Sequence, residues 1–206
     1  MKQFRGCSRL YYATVTEAAD GTPTYGTPVQ VAPVKSVSRD IAVDDEKVYA
    51  DNIVQDQNFA ATTVTRTFSC VRIAPDVEAA LLGNGEITVS GDKKAYTTPP
   101  SGAARPYLAF GYALHDGDVD QPCEIVWAFR GKVTSITKSS NTIDDGTGSE
   151  GQEISVDFVA PVKKWTTTGK RDLDISLPVT ADNVADVEKW FAKVITPDNI
   201  ATEIGA

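Results

Sequence analysis

The sequence predicts a mainly β fold: a β-sandwich or barrel-like subunit with one or two flanking helices and a long extended loop. Three observations carry this. Three apolar strands follow one another between Pro106 and Lys164, at 107–114, 124–137 and 154–160. About eight to ten short runs of strand character are spread along the chain. Only two stretches have helical spacing, and the whole of 1–206 reads as a single domain.

The first strand spans Arg9 to Thr16, dense in β-formers, and Asp20-Gly21 turns it into a second run from Tyr25 to Val31. Pro28 and Pro33 keep that run short or at an edge. A piece alternating at Val37, Arg39, Ile41 and Val43 leads into an acidic segment holding Asp40, Asp44, Asp45, Glu46, Asp51 and Asp56 against Lys47. The segment at about 40–58 is expected to be an exposed loop or arm. Strand character resumes from Ala60 to Ile73. A helix follows over Ala74 to Gly83, with Pro75 and Asp76 in its first turn and a glycine stop. From Leu82 to Pro106 the composition predicts a hairpin or loop around Ile87 to Ser90.

In the first core strand Leu108, Phe110, Tyr112 and Leu114 share a face opposite Ala109, Gly111 and Ala113. In the third, Ile154, Val156, Phe158 and Ala160 lie opposite Ser155 and Asp157. The middle strand is apolar at Ile125, Trp127, Phe129 and Val133, then jumps frame to Ile136, so Gly131 is expected at a bulge or bend. A terminal helix is expected over about 182–195, with Val184, Val187, Phe191 and Val194 as its stripe and Pro197 beyond its end.

Composition excludes several classes. The formal net charge is −8, opposite to the basic face with which proteins grip nucleic acid. Cys7, Cys70 and Cys123 form neither a C-x-x-C pair nor an even set, which argues against a disulfide framework or zinc site and for buried thiols. No apolar run reaches membrane-spanning length, and the N-terminal residues lack the apolar stretch of a secretory signal. Asp116, Asp118 and Asp120 have calcium-loop spacing, but Gln121 and Trp127 stand where glycine and glutamate belong, so they read as an acidic turn. Gly146 to Gly151 spells G-x-G-x-x-G without the strand before it and helix after it that a dinucleotide site needs. His115 is the single histidine and is expected to be solvated at a turn. Trp127, Trp165 and Trp190 are a conceivable sugar-stacking set, although Trp127 has a core position, Trp190 borders a helix stripe, and only Trp165 reads as surface. Neither an enzyme nor a cofactor is indicated; the alternative function is a β-sandwich module binding carbohydrate or a calcium-dependent ligand.

Charge is segregated. Residues 116–124 and 141–157 carry carboxylates and no base, whereas 163–171 carries Lys163, Lys164, Lys170 and Arg171 and no acid. Blocks of opposite sign steer copies of one chain against each other.

The order of segments resembles the phi13-type major tail proteins that build the tail tube of long, flexible-tailed bacteriophages. The residues that carry the likeness are Leu10 to Ala13, Tyr25 to Val29, Tyr49 to Asp51, Ala79 to Gly83, Pro106 to Tyr112, Val126 to Lys132, Phe158 to Pro161 and Trp190-Phe191. It extends from about residue 8 to 198, and the segments 91–105 and 144–151 match nothing in it. The resemblance implies a virion protein, made in the host bacterial cytoplasm, that assembles with itself into hexameric rings stacked as a tube. It also implies a tape-measure protein inside, tail terminator and distal tail or baseplate proteins at the ends, and double-stranded DNA passing without specific binding. A loop reaching the neighbouring subunit would hold Asp44, Asp45, Glu46, Tyr49 and Asp51. Asp116, Asp118, Glu124 and Asp157 are the lumen candidates, and Lys163, Lys164, Lys170 and Arg171 the basic patch between rings.

Overall fold

A computed structural model describes residues 3–50, 53–98, 104–117, 120–139 and 151–205. The strands are β1 (Gly6–Glu17), β2 (Pro23–Tyr25), β3 (Val29–Ala32), β4 (Val34–Ala50), β5 (Ile53–Cys70), β6 (Gly85–Ser90), β7 (Lys93–Thr97), β8 (Tyr107–His115), β9 (Glu124–Lys138), β10 (Gln152–Phe158) and β11 (Asp174–Pro178). The helices are α1 (Pro75–Leu82), α2 (Asp186–Ala192) and the single turn α3 (Ile200–Glu203). Nine strands form one antiparallel sheet in the order β2-β1-β8-β9-β10-β5-β4, with β3 also on β1 and β11 also on β9. The mainly β class holds. The sheet curls strongly, and among the described residues it does not close into a barrel.

The curl is measured by two rings. Phe68 of β5 stacks on Phe110 of β8 at 5.5 Å, although β9 and β10 lie between them in the sheet. In a flat sheet three strand spacings would put them about 14 Å apart. The inner face of the curl is the first core: Leu10, Phe68, Leu108, Phe110, Val133, Ile154, Val156 and Phe158 are all fully buried. Helix α1 covers one end with Val77 and Leu81. Its start and stop follow the sequence signals, proline in the first turn and Gly83 in the left-handed region at φ 70°.

A second core lies on the opposite face of β1, β8 and β9. Ala13, Ala109, Ala113, Ile125, Trp127 and Phe129 are buried there beneath Trp165, Val187, Trp190, Phe191, Val194 and Ile195. The small residues of β8 therefore do not face solvent or a neighbouring subunit, as their alternation alone allows. They make room for Trp127, whose ring carbons would lie 2.8 Å from a Cβ at Gly111. The Trp127 Nε1 donates to the carbonyl of Trp190 at 2.8 Å, joining sheet to helix.

The middle strand also departs from its expected pattern. Leu108 pairs with Gly131, but Phe110 pairs with Ala128, so β9 carries one extra residue between them. A second shift sits where Ser155 and Val156 face Ser135 and Val133. The first bulge reverses the alternation. Trp127 and Phe129 therefore face the second core while Val133 faces the first, and the four apolar residues do not share one face. Gly131 lies beside the bend as expected, where a Cβ would meet Phe158 and Val156 at 2.7 Å.

Three further expectations change. Trp165 is 5% exposed and packs edge-on against Phe129 with ring centroids 4.8 Å apart, so it is core. Helix α2 is shorter than 182–195. Asn183 takes the Thr180 amide at 2.7 Å, holding the preceding residues in a turn, and Lys193 is extended. His115 is buried, its Nε2 2.8 Å from the Ser8 hydroxyl.

Candidate functional site

The acidic arm is a hairpin. Asp44 pairs with Ala60, Asp45 with Phe59, Glu46 with Asn58 and Tyr49 with Val54; Asp51 lies outside the described residues. The expected loop is thus two strands. The physical reason is that a long hairpin satisfies its own backbone donors and acceptors without an apolar face, and Val43, Val48, Tyr49, Ile53 and Val54 supply strand propensity among the acids. The partner strand β10 ends opposite Val64, so β4 from Ala42 to Ala50 pairs with β5 alone. At about 3.3 Å a residue that is a reach of about 30 Å.

Beyond the second core, the outer face of the sheet is uncovered among the described residues and polar over three successive rows. The register lines up Asp40, Thr65, Asp157 and Lys132, then Ser38, Thr67, Ser155 and Ser135, then Ser36, Ser69, Glu153 and Thr137. The alternate residues of β5 and β10 point into the first core. Thr65 donates to Asp157 at 2.6 Å across the strands. Hydroxyls dominate this face, and three carboxylates stand against one amine.

Of the lumen candidates among the described residues, Asp157 alone lies on that face. Glu124 begins β9, eight positions along the strand from the Lys132 that faces Asp157, or about 26 Å. It borders a cleft of about 360 Å³ with Phe4, Tyr112, Leu114 and Asp174. Asp116 is half-buried just after β8, and Asp118 lies outside the described residues. Among the described three, Asp157 therefore stands apart from Asp116 and Glu124. Asp40 and Glu153, absent from the expected set, do share the face of Asp157; their signal was strand phase, hidden because Asp40 was read as part of the acidic arm and Glu153 as part of the acidic block 141–157.

The four basic residues Lys163, Lys164, Lys170 and Arg171 are all exposed on one tight loop. Trp165 anchors it: its amide donates to Lys170 O at 2.8 Å and its carbonyl accepts from Gly169 N at 2.9 Å. Its indole donates to Asp172 O at 3.0 Å. Asp198 clamps the loop from outside by accepting from the Thr166 and Thr167 amides at 3.1 and 2.8 Å. Burial works against this carboxylate, but the amides outweigh it and its pKa is lowered. Lys163 meets Asp20 at 3.1 Å. The Asp20 carboxyl is held down to about 2, chiefly by the Thr22 hydroxyl and amide and then by Lys163.

Arg66, fully buried on β5, is paired with Asp174 of β11. Its guanidinium lies 4.9 Å from the Phe158 ring centroid. Trp127, Trp165 and Trp190 are all core residues, so they present no stacking platform for a sugar.

No protein-family model matches the chain, and no curated protein does. Among solved structures, it is similar over 84% of its length to a chain of the extended sheath-tube complex of an extracellular contractile injection system (PVC), with 90% of that chain covered, 14% identity and a TM-score of 0.40. It is also similar, again over 84%, to a chain of the anti-feeding prophage (AFP) baseplate, with 95% of that chain covered, 7% identity and a TM-score of 0.36.

Proposed function

We propose that this chain is a structural virion protein, the subunit of a phage tail tube, assembling with itself into stacked hexameric rings through which double-stranded DNA is ejected. The observation that carries this reading is the β4–β5 hairpin. A pair of strands running about 30 Å past its sheet, in a chain whose order of segments resembles that of tail tube proteins, is suited to bridge to another subunit. It would take Asp44, Asp45, Glu46 and Tyr49 there. The uncovered polar face supports the same reading from a second side. A conduit must not hold what it conveys, and hydroxyls with sparse carboxylates offer phosphates hydration and repulsion but little attraction. Asp157, with Asp40 and Glu153, is the set assigned to the lumen. The basic loop meets acidic surface on an adjacent copy. Tape-measure, terminator and baseplate proteins are the further partners.

Negative-stain microscopy of the concentrated protein tests this. Rings or filaments are expected, with a melting temperature indifferent to calcium. Monomers at every concentration, with a melting temperature raised by calcium through binding to the native state, would favour a ligand-binding module instead.

A further inference from the structure

The cleft of about 360 Å³ that Glu124 borders opens onto the inner face of the curl. Tyr112 and Val126 of the first core line it, with Val37 and Leu114 beside them. Its volume falls within the range of about 300–1,000 Å³ usual for small-molecule sites. Phe4, also in the lining, is 62% exposed, a large apolar ring left in water beside an apolar wall.

The polar end of this cleft holds an excess of positive charge. The register sets Arg39 of β4 directly opposite Arg66 of β5, and like charges at opposed positions destabilise a sheet. Both guanidinium groups turn to one oxygen, Asp174 Oδ2, Arg66 in close contact and Arg39 at 3.5 Å. Among the described residues neither has a second carboxylate, and two nitrogens of Arg66 have no hydrogen-bond partner. Two cations thus share one anion. Arg66 is shut off from solvent and holds Asp174 from behind, whereas the half-exposed Arg39 lines the cleft. The other carboxylate of the lining, Glu124, lies four positions along β9 from the Ala128 that faces Asp174, or about 13 Å. It stands at the opposite end, beyond a Debye length of about 8 Å at physiological salt.

We propose that this cleft binds a small amphipathic carboxylate, its head on Arg39 and its aliphatic or aromatic body along Val37, Leu114, Val126 and the Phe4 ring. The site goes beyond the tube reading and does not depend on it. A carboxylate brings the arginine pair to neutrality and accepts two parallel hydrogen bonds from one guanidinium. Arg66 keeps Asp174 occupied, so Arg39 gives up only a long contact to receive it. A cationic head would be repelled, and a neutral one would leave the excess charge in place. Covering the Phe4 ring and the apolar wall removes both from water.

Octanoate is the probe, with octanol, octylammonium and acetate lacking in turn its charge, its sign and its body. Calorimetric titration of the full chain gives the affinities, and the melting temperature should rise with any ligand that binds the native state. Octanoate is expected to bind about tenfold or more tighter than each of the others. Arg39→Gln should lose about tenfold or more of that affinity and leave octanol unchanged. Ser176→Trp, at an exposed position of the lining, fills the cleft and should abolish binding while the unliganded melting temperature stays at that of the wild type. Octylammonium binding as well as octanoate, octanoate affinity unaltered by both substitutions, or no octanoate binding at all overturns the site. A short apolar peptide that binds through its free C-terminal carboxylate where octanoate does not would overturn the small-molecule assignment. None of these results bears on whether copies of the chain assemble, so the two readings fail separately.

Discussion

Replacing Gly111 by alanine distinguishes a covered face from an open one by the sign of its effect. If the small-residue face of β8 were outward, alanine would reduce backbone freedom in the unfolded chain and add about 0.5–1 kcal/mol of stability. In the fold, the new Cβ falls 2.8 Å from two carbons of the Trp127 ring, about 1 Å inside the usual carbon–carbon contact. The ring has no free direction. It is fully buried, bonded to Trp190 O at 2.8 Å and packed near Phe191 at 6.2 Å. Overpacking of this kind costs about 1–3 kcal/mol, and losing the indole hydrogen bond adds about 1 kcal/mol. Against the backbone gain, the net loss is about 1–3 kcal/mol, a fall in melting temperature of roughly 2–12 °C for a chain of this size. Thermal and urea unfolding measure it, and the near-ultraviolet dichroism of Trp127 should change with it. A second substitution, Trp127→Phe, should couple to the first by at least about 0.5 kcal/mol. A melting temperature equal to or above the wild type refutes the two-sided burial of β8.

Other outcomes follow from the same structure. Asp174→Ala leaves the Arg66 guanidinium buried without its counter-charge and should cost about 3 kcal/mol or more by urea unfolding, with Arg66→Met in the same chain recovering part of it. Asp20 has a folded pKa of about 2 against an ordinary value of 3.8, so its contribution is complete above about pH 4 and is lost as pH falls towards 2. An acid titration of the melting temperature should therefore be shallower for Asp20→Asn over that window. Reversing all of Asp40, Glu153 and Asp157 to lysine should make assembled protein retain double-stranded DNA at low salt and release it as salt rises; DNA that still passes unretained would argue against this face as the lumen wall.

How much was legible in the sequence depends on the range over which each feature is decided. The alternation of β8 and β10 reports which side chains share a face, and it holds through Leu114 and Phe158 because strand phase is set by adjacent residues; Ala160, expected on the same face, lies past the end of β10 and is exposed. The boundaries of α1 were equally local, since Pro75 and Gly83 act on their own backbone. The bulge in β9 was visible as a break in apolar phase near Gly131, but its consequence was not. Which face received Val133 depended on pairing with β8 and β10. The β4–β5 arm was misread because its acids suggested a loop, whereas a strand that pairs with its own neighbour needs no apolar face. In the candidate surfaces, the clustering of Lys163 to Arg171 was plain from the chain. That Trp165 anchors the loop from the core required its packing on Phe129, 36 positions earlier, and that Tyr25 lines a cleft with the same loop required bringing together residues well over a hundred positions apart. Gly111 shows the same division: its phase opposite Phe110 and Tyr112 was set by the sequence alone, while what covers it was decided by Trp127 and a helix arriving some eighty residues later. Local sterics determine where a side chain points; only long-range packing determines whether water or protein meets it there.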